Sequence, residues 1–495
     1  MNEKTEGAFD EFSLRDFRRL LDSGELSSST LVRYYLDRIE KLDRSGPRLK
    51  AVLHLEAEAL AAAETRDRER EGGKARGLLH GIPILIKANI DVASPSLPTT
   101  AGSLALRDRV ASSDAPLVAE LRKAGAIVLG TTNLSEWANF RSKRSSSGWS
   151  SEGGQTRNPY ALDRNPSGSS SGSAVAVSAN LCAAAVGTET DGSIVSPASA
   201  NGVVGIKPTL GLVSGRGIIP IAASQDTAGP MARRVEDAGF LLAAMAGARG
   251  GELSDFLAAG RGREGLAGYR LGIARGFAGF DSEVDRLFES SLALLRELGA
   301  ELIETDFAPR PELEEAEFEL MLYEFKAGIE AYLREHGKGD GLEELSDLIA
   351  FNEAHAAEVM PWFGQELFLM AAAKGPLSEE GYLTARKACL SLARNLDASL
   401  AGSSLDAFVA PSGGPAWKTD YYLGDNHRGG CATPAAVAGY PHLSLPAGLL
   451  HGLPVGLSIF GPAFGEKKLL EIALAFERAG AARRKPSFAP TLDAW

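Results

Sequence analysis

Gly81-Ile82-Pro83-Ile84-Leu85-Ile86-Lys87-Ala88-Asn89-Ile90-Asp91 is the stretch whose reading decides the fold. Ile82–Ile86 is a short apolar run behind a glycine, the pattern of a buried strand. Ala126–Leu129 is a second such run, and Leu117–Ala124 between them has helical spacing. Strand, helix and strand in this order argue for α/β layering. The first run ends on Lys87. A lysine there commonly carries its ammonium out to water along its aliphatic stem. The alternative is a desolvated amine with a depressed pKa, which makes a neutral base available.

Outward from this stretch the texture changes. Upstream the chain reads as helical. Ser13 is placed to cap a helix through Phe17, Leu20 and Leu21. Ser29 or Thr30 is placed to cap a second, with Val32, Tyr35, Leu36, Ile39 and Leu42 on one face. A third spans Glu56–Glu71. Downstream, Ser142–Ser173 is dense in Ser, Gly and Asn, yet holds Trp149, Tyr160 and Pro166 between core-like flanks. A long non-repetitive loop of this kind is more often functional than idle. Ala174–Ala185 reads as a small-residue buried helix. Tyr269–Ala274, Glu301–Glu304 and Asp406–Ala410 read as strands. Val284–Leu298, Glu312–Leu333, Ser378–Leu400 and Lys468–Ala479 read as helices.

Composition excludes several classes. The 495 residues carry 52 Lys and Arg against 64 Asp and Glu, a net charge of −12. Such a chain has no global attraction for nucleic acid or an anionic membrane. Gly429–Gly465 has no Asp, Glu, Lys or Arg, but Pro434, Pro441, Pro446, Pro454 and Pro462 break it. A spanning helix does not tolerate that density of proline, so Leu443–Leu445 and Val455–Phe460 read as short buried strands. Three cysteines, Cys182, Cys389 and Cys431, cannot build a disulfide framework. They read as buried thiols in a reducing, cytoplasmic setting. The first residues show no apolar run behind a basic start, so no signal peptide is expected.

The familiar catalytic sets fit poorly. None of the seven histidines sits in HExxH spacing, so no metal site is expected. The one GxSxG match, Gly168–Gly172, follows Asp163–Ser167 rather than the apolar strand a nucleophile elbow needs. No lysine follows it as in a phosphate-binding loop. The GxGxxG at Gly260–Gly265 follows a helix-like run. Two other features remain. Gly168-Ser169-Ser170-Ser171-Gly172-Ser173 stands before a helix-like run, where the bland reading is a helix cap. Gly187-Thr188-Glu189-Thr190-Asp191-Gly192-Ser193-Ile194-Val195-Ser196-Pro197 reads as a tight polar turn. Small residues there let backbone N–H groups converge on an anion or a developing oxyanion.

In order and separation, the Lys87, Gly168–Ser173 and Gly187–Pro197 segments resemble the amidase signature family. Gly202–Thr209, Gln225–Met231 and Cys431–Gly448 are similar to it as well, and the likeness is weakest over Ala308–Leu405. The resemblance implies an α/β amidase signature fold, a large mixed β-sheet core covered by helices on both faces. It implies one domain over 1–495: a helical region about 10–75, an α/β core about 76–307 and 406–485, and a helical cap inserted at about 308–405. It also implies a Ser–cis-Ser–Lys triad. Lys87 matches the family lysine, Ser169 the bridging serine with a cis peptide at one of its two junctions, and Ser193 the nucleophile. Backbone N–H groups of Thr190, Asp191, Gly192 and Ser193 would then hold the oxyanion, with Ser169 bordering the substrate. No cofactor is implied.

Three departures stand out. Val195 occupies a usual arginine site, which removes an anchor for a carboxylate. Asp191 and Ser171 stand where glycine is usual. With Trp137–Arg141 and Ser146–Ser150 upstream, this version resembles the peptide amidase branch, which removes C-terminal amides of peptides. Arg141 or Arg144 then either orients a substrate carbonyl or, the commoner role, forms a structural salt bridge. The expected activity is a serine amidohydrolase releasing ammonia from a small-molecule or short peptide amide, with no nucleic-acid or membrane partner and room for a homodimer. The alternatives are a catalytically silent scaffold homologue and a glutamine-hydrolysing amidotransferase subunit.

Overall fold

The computed structural model describes residues 7–260, 265–336, 341–480 and 482–492. Residues 261–264, inside the Gly260–Gly265 run, lie outside the described residues. The strands in chain order are β1 (Val52–Leu55), β2 (Pro83–Lys87), β3 (Ile127–Thr132), β4 (Trp149–Ser150), β5 (Gly154–Gln155), β6 (Ala184–Glu189), β7 (Val204–Lys207), β8 (Thr227–Ala232), β9 (Arg270–Ala274), β10 (Glu301–Thr305), β11 (Ala407–Pro411), β12 (His442–Leu450) and β13 (Leu453–Phe460). Eleven form one sheet in the order β1-β3-β2-β6-β8-β7-β12-β13-β11-β9-β10, and β4 pairs with β5 alone. The sheet is mixed: β3-β2-β6 and β11-β9-β10 run parallel, while the strands between are antiparallel.

Every residue of β2, β3, β6, β7, β8, β11 and β13 is buried. Strands that read as continuous apolar runs need cover on both faces. Helices Val235–Met245, Ser282–Glu297 and Glu466–Gly480 pack on the sheet, as do Ser171–Ser178 and Val195–Ala200. The expected fold class is therefore the observed one. The proline-broken run after Gly429 forms β12 and β13, and among the described residues no helix is long and apolar enough to cross a membrane.

Some elements differ from the sequence reading. The second helix, Ser28–Arg38, is capped by Ser27 rather than by Ser29 or Thr30. Asp67 accepts the N–H groups of Ser28 and Ser29, so the helix begins two residues earlier than a cap at Ser29 would place it. The stretch read as helical upstream contains edge strand β1, antiparallel to β3. Ala174–Ala185 is not one helix. The helix is Ser171–Ser178, and the chain turns and enters β6 at Ala184. A run buried on every side carries no periodicity to separate helix from strand.

Between β10 and β11 the chain is helical: Pro311–His336, Leu345–Ala354, Ala356–Val359, Glu366–Ala372 and Glu380–Gly402. Their apolar sides share a core with Leu106, Trp137, Phe140, Ile219 and Ile221, apart from the main sheet core. This packing brings the helices over the loops that leave the sheet. At the other end of the chain, Ser13 and Asp16 form a capping box for helix Leu14–Ser23, which buries Leu14, Phe17 and Leu21. Ser13→Ala is expected to lower stability by about 1 kcal/mol, read from the shift of the urea unfolding curve.

Candidate active site

Lys87 is the last residue of β2, held between the parallel strands β3 and β6, and it is fully buried. Its stem cannot reach water, so the snorkelling reading fails. Nζ instead meets oxygen atoms only. It donates to Ser169 Oγ at 2.8 Å, Thr188 Oγ1 at 2.8 Å, Ser170 Oγ at 3.1 Å and Thr188 O at 3.3 Å. Burial pulls its pKa down to about 7, against the opposing pull of Glu189 and Asp226. An amine with this pKa is substantially neutral near pH 7, and a neutral amine also accepts a hydroxyl proton.

The serine-rich loop reaches Lys87 because the helix Ser171–Ser178 starts hard against β3. A Cβ at Gly172 would lie 2.3 Å from Ala51 O and 2.4 Å from Asn133 O, so only glycine fits. Gly172 N–H donates to Asn133 O and Ser135 N–H donates to Ser169 O. These bonds lay Ser169 and Ser170 across the end of β2. The Gly168–Ser169 peptide is cis, which decides between the two junctions left open by sequence.

Ser193 follows β6 in a turn where Gly192 adopts φ +78°, a left-handed conformation that favours glycine. Its carbonyl accepts from Ser170 N–H at 3.1 Å. Lys87 and Ser169 thus touch directly, and Ser193 joins them through the backbone of the next serine. Ser193 is 9% exposed, whereas Lys87 and Ser169 are 0%. The site opens to solvent on the Ser193 side.

Glu189 shapes the turn from beneath. One carboxylate oxygen accepts from Ile194 N at 2.7 Å and Val195 N at 3.0 Å, and Gly192 N–H faces the same group. Among the described residues no hydrogen bond takes up the N–H groups of Asp191 or Ser193. Thr190 Oγ1 donates to Asp226. Asp191 is half-buried and accepts from Thr433 Oγ1 at 2.7 Å, and burial pushes its carboxyl up to about 7. Behind the turn, Lys207 is fully buried and donates to Tyr440 O at 2.6 Å and Pro208 O at 3.3 Å. Burial lowers its pKa to about 8.

Sequence reading missed Thr188, Ser170, Glu189 and Lys207. Thr188 lies within the quoted Gly187–Pro197 segment, but its role depends on β2 pairing with β6, which no local pattern records. Arg141 is no substrate anchor. It is fully buried, pairs with buried Glu136 at 3.0 Å, and donates to Val359 O and Phe363 O. It ties the 359–363 segment to the loop after β3. Arg144 donates its backbone N–H to Ser142. Among the described residues no three His, Cys, Asp or Glu side chains are grouped to hold a metal ion.

Removing one partner of a fully buried ion pair strands the other charge. Arg141→Met is expected to cost about 3–5 kcal/mol in equilibrium unfolding, and adding Glu136→Gln should restore part of it.

Known proteins resemble this chain over nearly its whole length. A family described as Amidase matches residues 30–470. A probable amidase of Arabidopsis thaliana is 40% identical over 499 residues, covering 97% of this chain and 92% of the relative. The native peptide amidase of Stenotrophomonas maltophilia superposes with a TM-score of 0.90 at 48% identity, covering 97% of this chain and 99% of that one. A glutamyl-tRNA(Gln) amidotransferase subunit from Ralstonia pickettii is 36% identical over 501 residues, covering 93% of this chain and 96% of the relative.

Proposed function

The chain belongs to the amidase family and is an amide-hydrolysing enzyme, and from that premise we propose that it cleaves primary carboxamides, including the C-terminal amides of short peptides, through an acyl-Ser193 intermediate. The observation that carries this reading is the buried Lys87 amine in hydrogen-bond contact with Ser169. A serine hydroxyl is a weak nucleophile until a base removes its proton. Neutral Lys87 accepts the Ser169 proton as Ser169 accepts that of Ser193, and Ser193 Oγ adds to the carbonyl carbon. The backbone N–H groups of Asp191 and Ser193 are the best-placed donors for the oxyanion, with Thr190 beside them. Gly192 N–H contributes less, because the Glu189 carboxylate competes for it.

Collapse of the tetrahedral adduct breaks the C–N bond. The proton held on Lys87 returns through Ser169 to the leaving nitrogen, which departs as ammonia. Water then adds to the Ser193 ester by the same relay, releasing the carboxylic acid and restoring the serine. No step in this reading uses a cofactor. The helical segment between β10 and β11 acts as the cap that shapes the acyl pocket.

The amidotransferase relative favours a second reading, in which glutamine is hydrolysed and ammonia handed to a partner protein. Buried Val195, at a usual arginine site, weighs against a substrate that, like glutamine, carries a free carboxylate near the nucleophile.

Ammonia release from a panel of peptide and alkyl amides, with glutamine included, tests the reading directly. Ser193→Ala should lose at least about 1,000-fold in kcat with the fold retained. A serine-directed fluorophosphonate should label Ser193, as read by peptide mass spectrometry, and labelling confined to another serine would remove the assignment. The pH profile has a definite sign. Only neutral Lys87 can accept a proton, so kcat/KM should rise with pH through about 7 and then level off. Lys87→Met should cost roughly 100- to 10,000-fold and abolish that limb.

A further inference from the structure

Two acidic residues from distant parts of the chain stand beside the nucleophile turn. Asp191 is two residues before Ser193. Glu317 comes from helix Pro311–His336, which the helical segment lays over the loop after β7. That loop grips the helix twice: Ser224 N–H donates to Glu324 at 2.9 Å and Gln225 Nε2 donates to Glu317 Oε1 at 2.6 Å. The same Gln225 amide reaches Thr190 O at 3.4 Å, so one buried side chain spans from Glu317 to the residue before Asp191.

The group is short of donors. Among the described residues, Asp191 Oδ1 and Gln225 Oε1 are shielded from solvent and receive no hydrogen bond. Gln225 is 1% exposed and Glu317 4%. Neither carboxyl forms an ion pair among the described residues. Lys207 acts on Asp191 through space, but its Nζ is bound to Tyr440 O and Pro208 O. Buried polar atoms are normally satisfied, and a buried acceptor without a donor costs about 1–3 kcal/mol. Burial, with the charges of Glu189 and Glu314, pushes Asp191 up to about 7, and burial, with the charges of Asp191 and Glu314, pushes Glu317 well above the carboxylate range. An added cation would relieve both effects.

We propose that Asp191, Glu317 and Gln225 Oε1 form a cation subsite that receives a protonated amine carried on the acyl side of the scissile amide. The inference rests on the amide-cleaving role proposed for Ser193 and adds the substrate class. An ammonium has three donors and no acceptor, which matches a cluster holding spare acceptors and two carboxyls that a cation would help to ionise. The amine must lie on the acyl part, because the other part leaves as ammonia. Glu317 belongs to the segment where family likeness is weakest, and Asp191 replaces a usual glycine. Neither is therefore part of the general family pattern that this sequence resembles.

The test compares matched primary amides by ammonia release. Acetyl-lysine amide and acetyl-norleucine amide differ in a side-chain ammonium, and free norleucine amide places the ammonium on the α-carbon instead. At least one cationic amide should exceed acetyl-norleucine amide by about tenfold in kcat/KM, and which one does so locates the amine. Glu317→Gln should shrink that preference to about threefold or less and leave the neutral amide's rate unchanged. Equal rates for all three amides in the native enzyme, or an equal loss on all three in the variant, would overturn the subsite. If none of the three releases ammonia, the proposed reaction itself fails, and n-butylammonium binding by calorimetry decides the subsite alone. Binding weakened about tenfold by Glu317→Gln upholds it, and no binding to the native enzyme overturns it.

Discussion

Removal of the Lys87 amine from water is the constraint on which the rest of the site depends. Strands β3 and β6 flank β2, and helices cover the sheet, so the side chain at its end has no route to solvent. An ammonium left there without compensation is costly, and neutralisation is the cheaper outcome. The partners around Nζ are hydroxyls and a carbonyl, with Glu189 and Asp226 acting only through space. A carboxylate in direct contact would have kept the amine charged. The polar but uncharged shell of Ser169, Ser170 and Thr188 leaves the proton nearly balanced between bound and released near neutral pH.

The same economy of charge governs the turn that carries Ser193. Glu189 holds the Ile194 and Val195 N–H groups from the buried side, while Lys207 lies behind it against backbone carbonyls. The turn is fixed by the Glu189 carboxylate on its main-chain N–H groups and by the Thr190–Asp226 and Thr433–Asp191 side-chain bonds. Its backbone is anchored to Ser170 through the Ser193 carbonyl. A rigid scaffold that presents groups on short loops is the usual way to hold reacting atoms in place.

Much of this was legible before any coordinates, and what was not has a common cause. The buried strand ending at Lys87, the cap at Ser13, the helix lead-in at Gly168–Ser173 and the tight turn at Gly187–Pro197 are written in adjacent residues. Thr188 and Ser170 as partners of the lysine depend on β2 lying next to β6, a neighbour relation set by the whole sheet. Glu317 meets the site only because a helix more than a hundred residues downstream folds back over it. The boundary at Ser178 was misread because a fully buried run carries no amphipathic stripe. Arg141 shows the reverse case. From its place in the sequence a structural salt bridge is the commoner role and a substrate anchor the alternative, and its complete burial against Glu136 bears out the first.

The helical segment leaves the sheet from β10 and returns to β11, and both strands pair with β9 between them. The strands therefore fix both of its ends, at the carboxyl end of β10 and the amino end of β11, whatever lies between. Lengthening an excursion with fixed ends adds little closure entropy, about 0.6 kcal/mol per doubling. Such an arrangement lets the helical excursion drift in length and composition while the strands beneath keep their register, so the two stretches of one polypeptide can evolve separately.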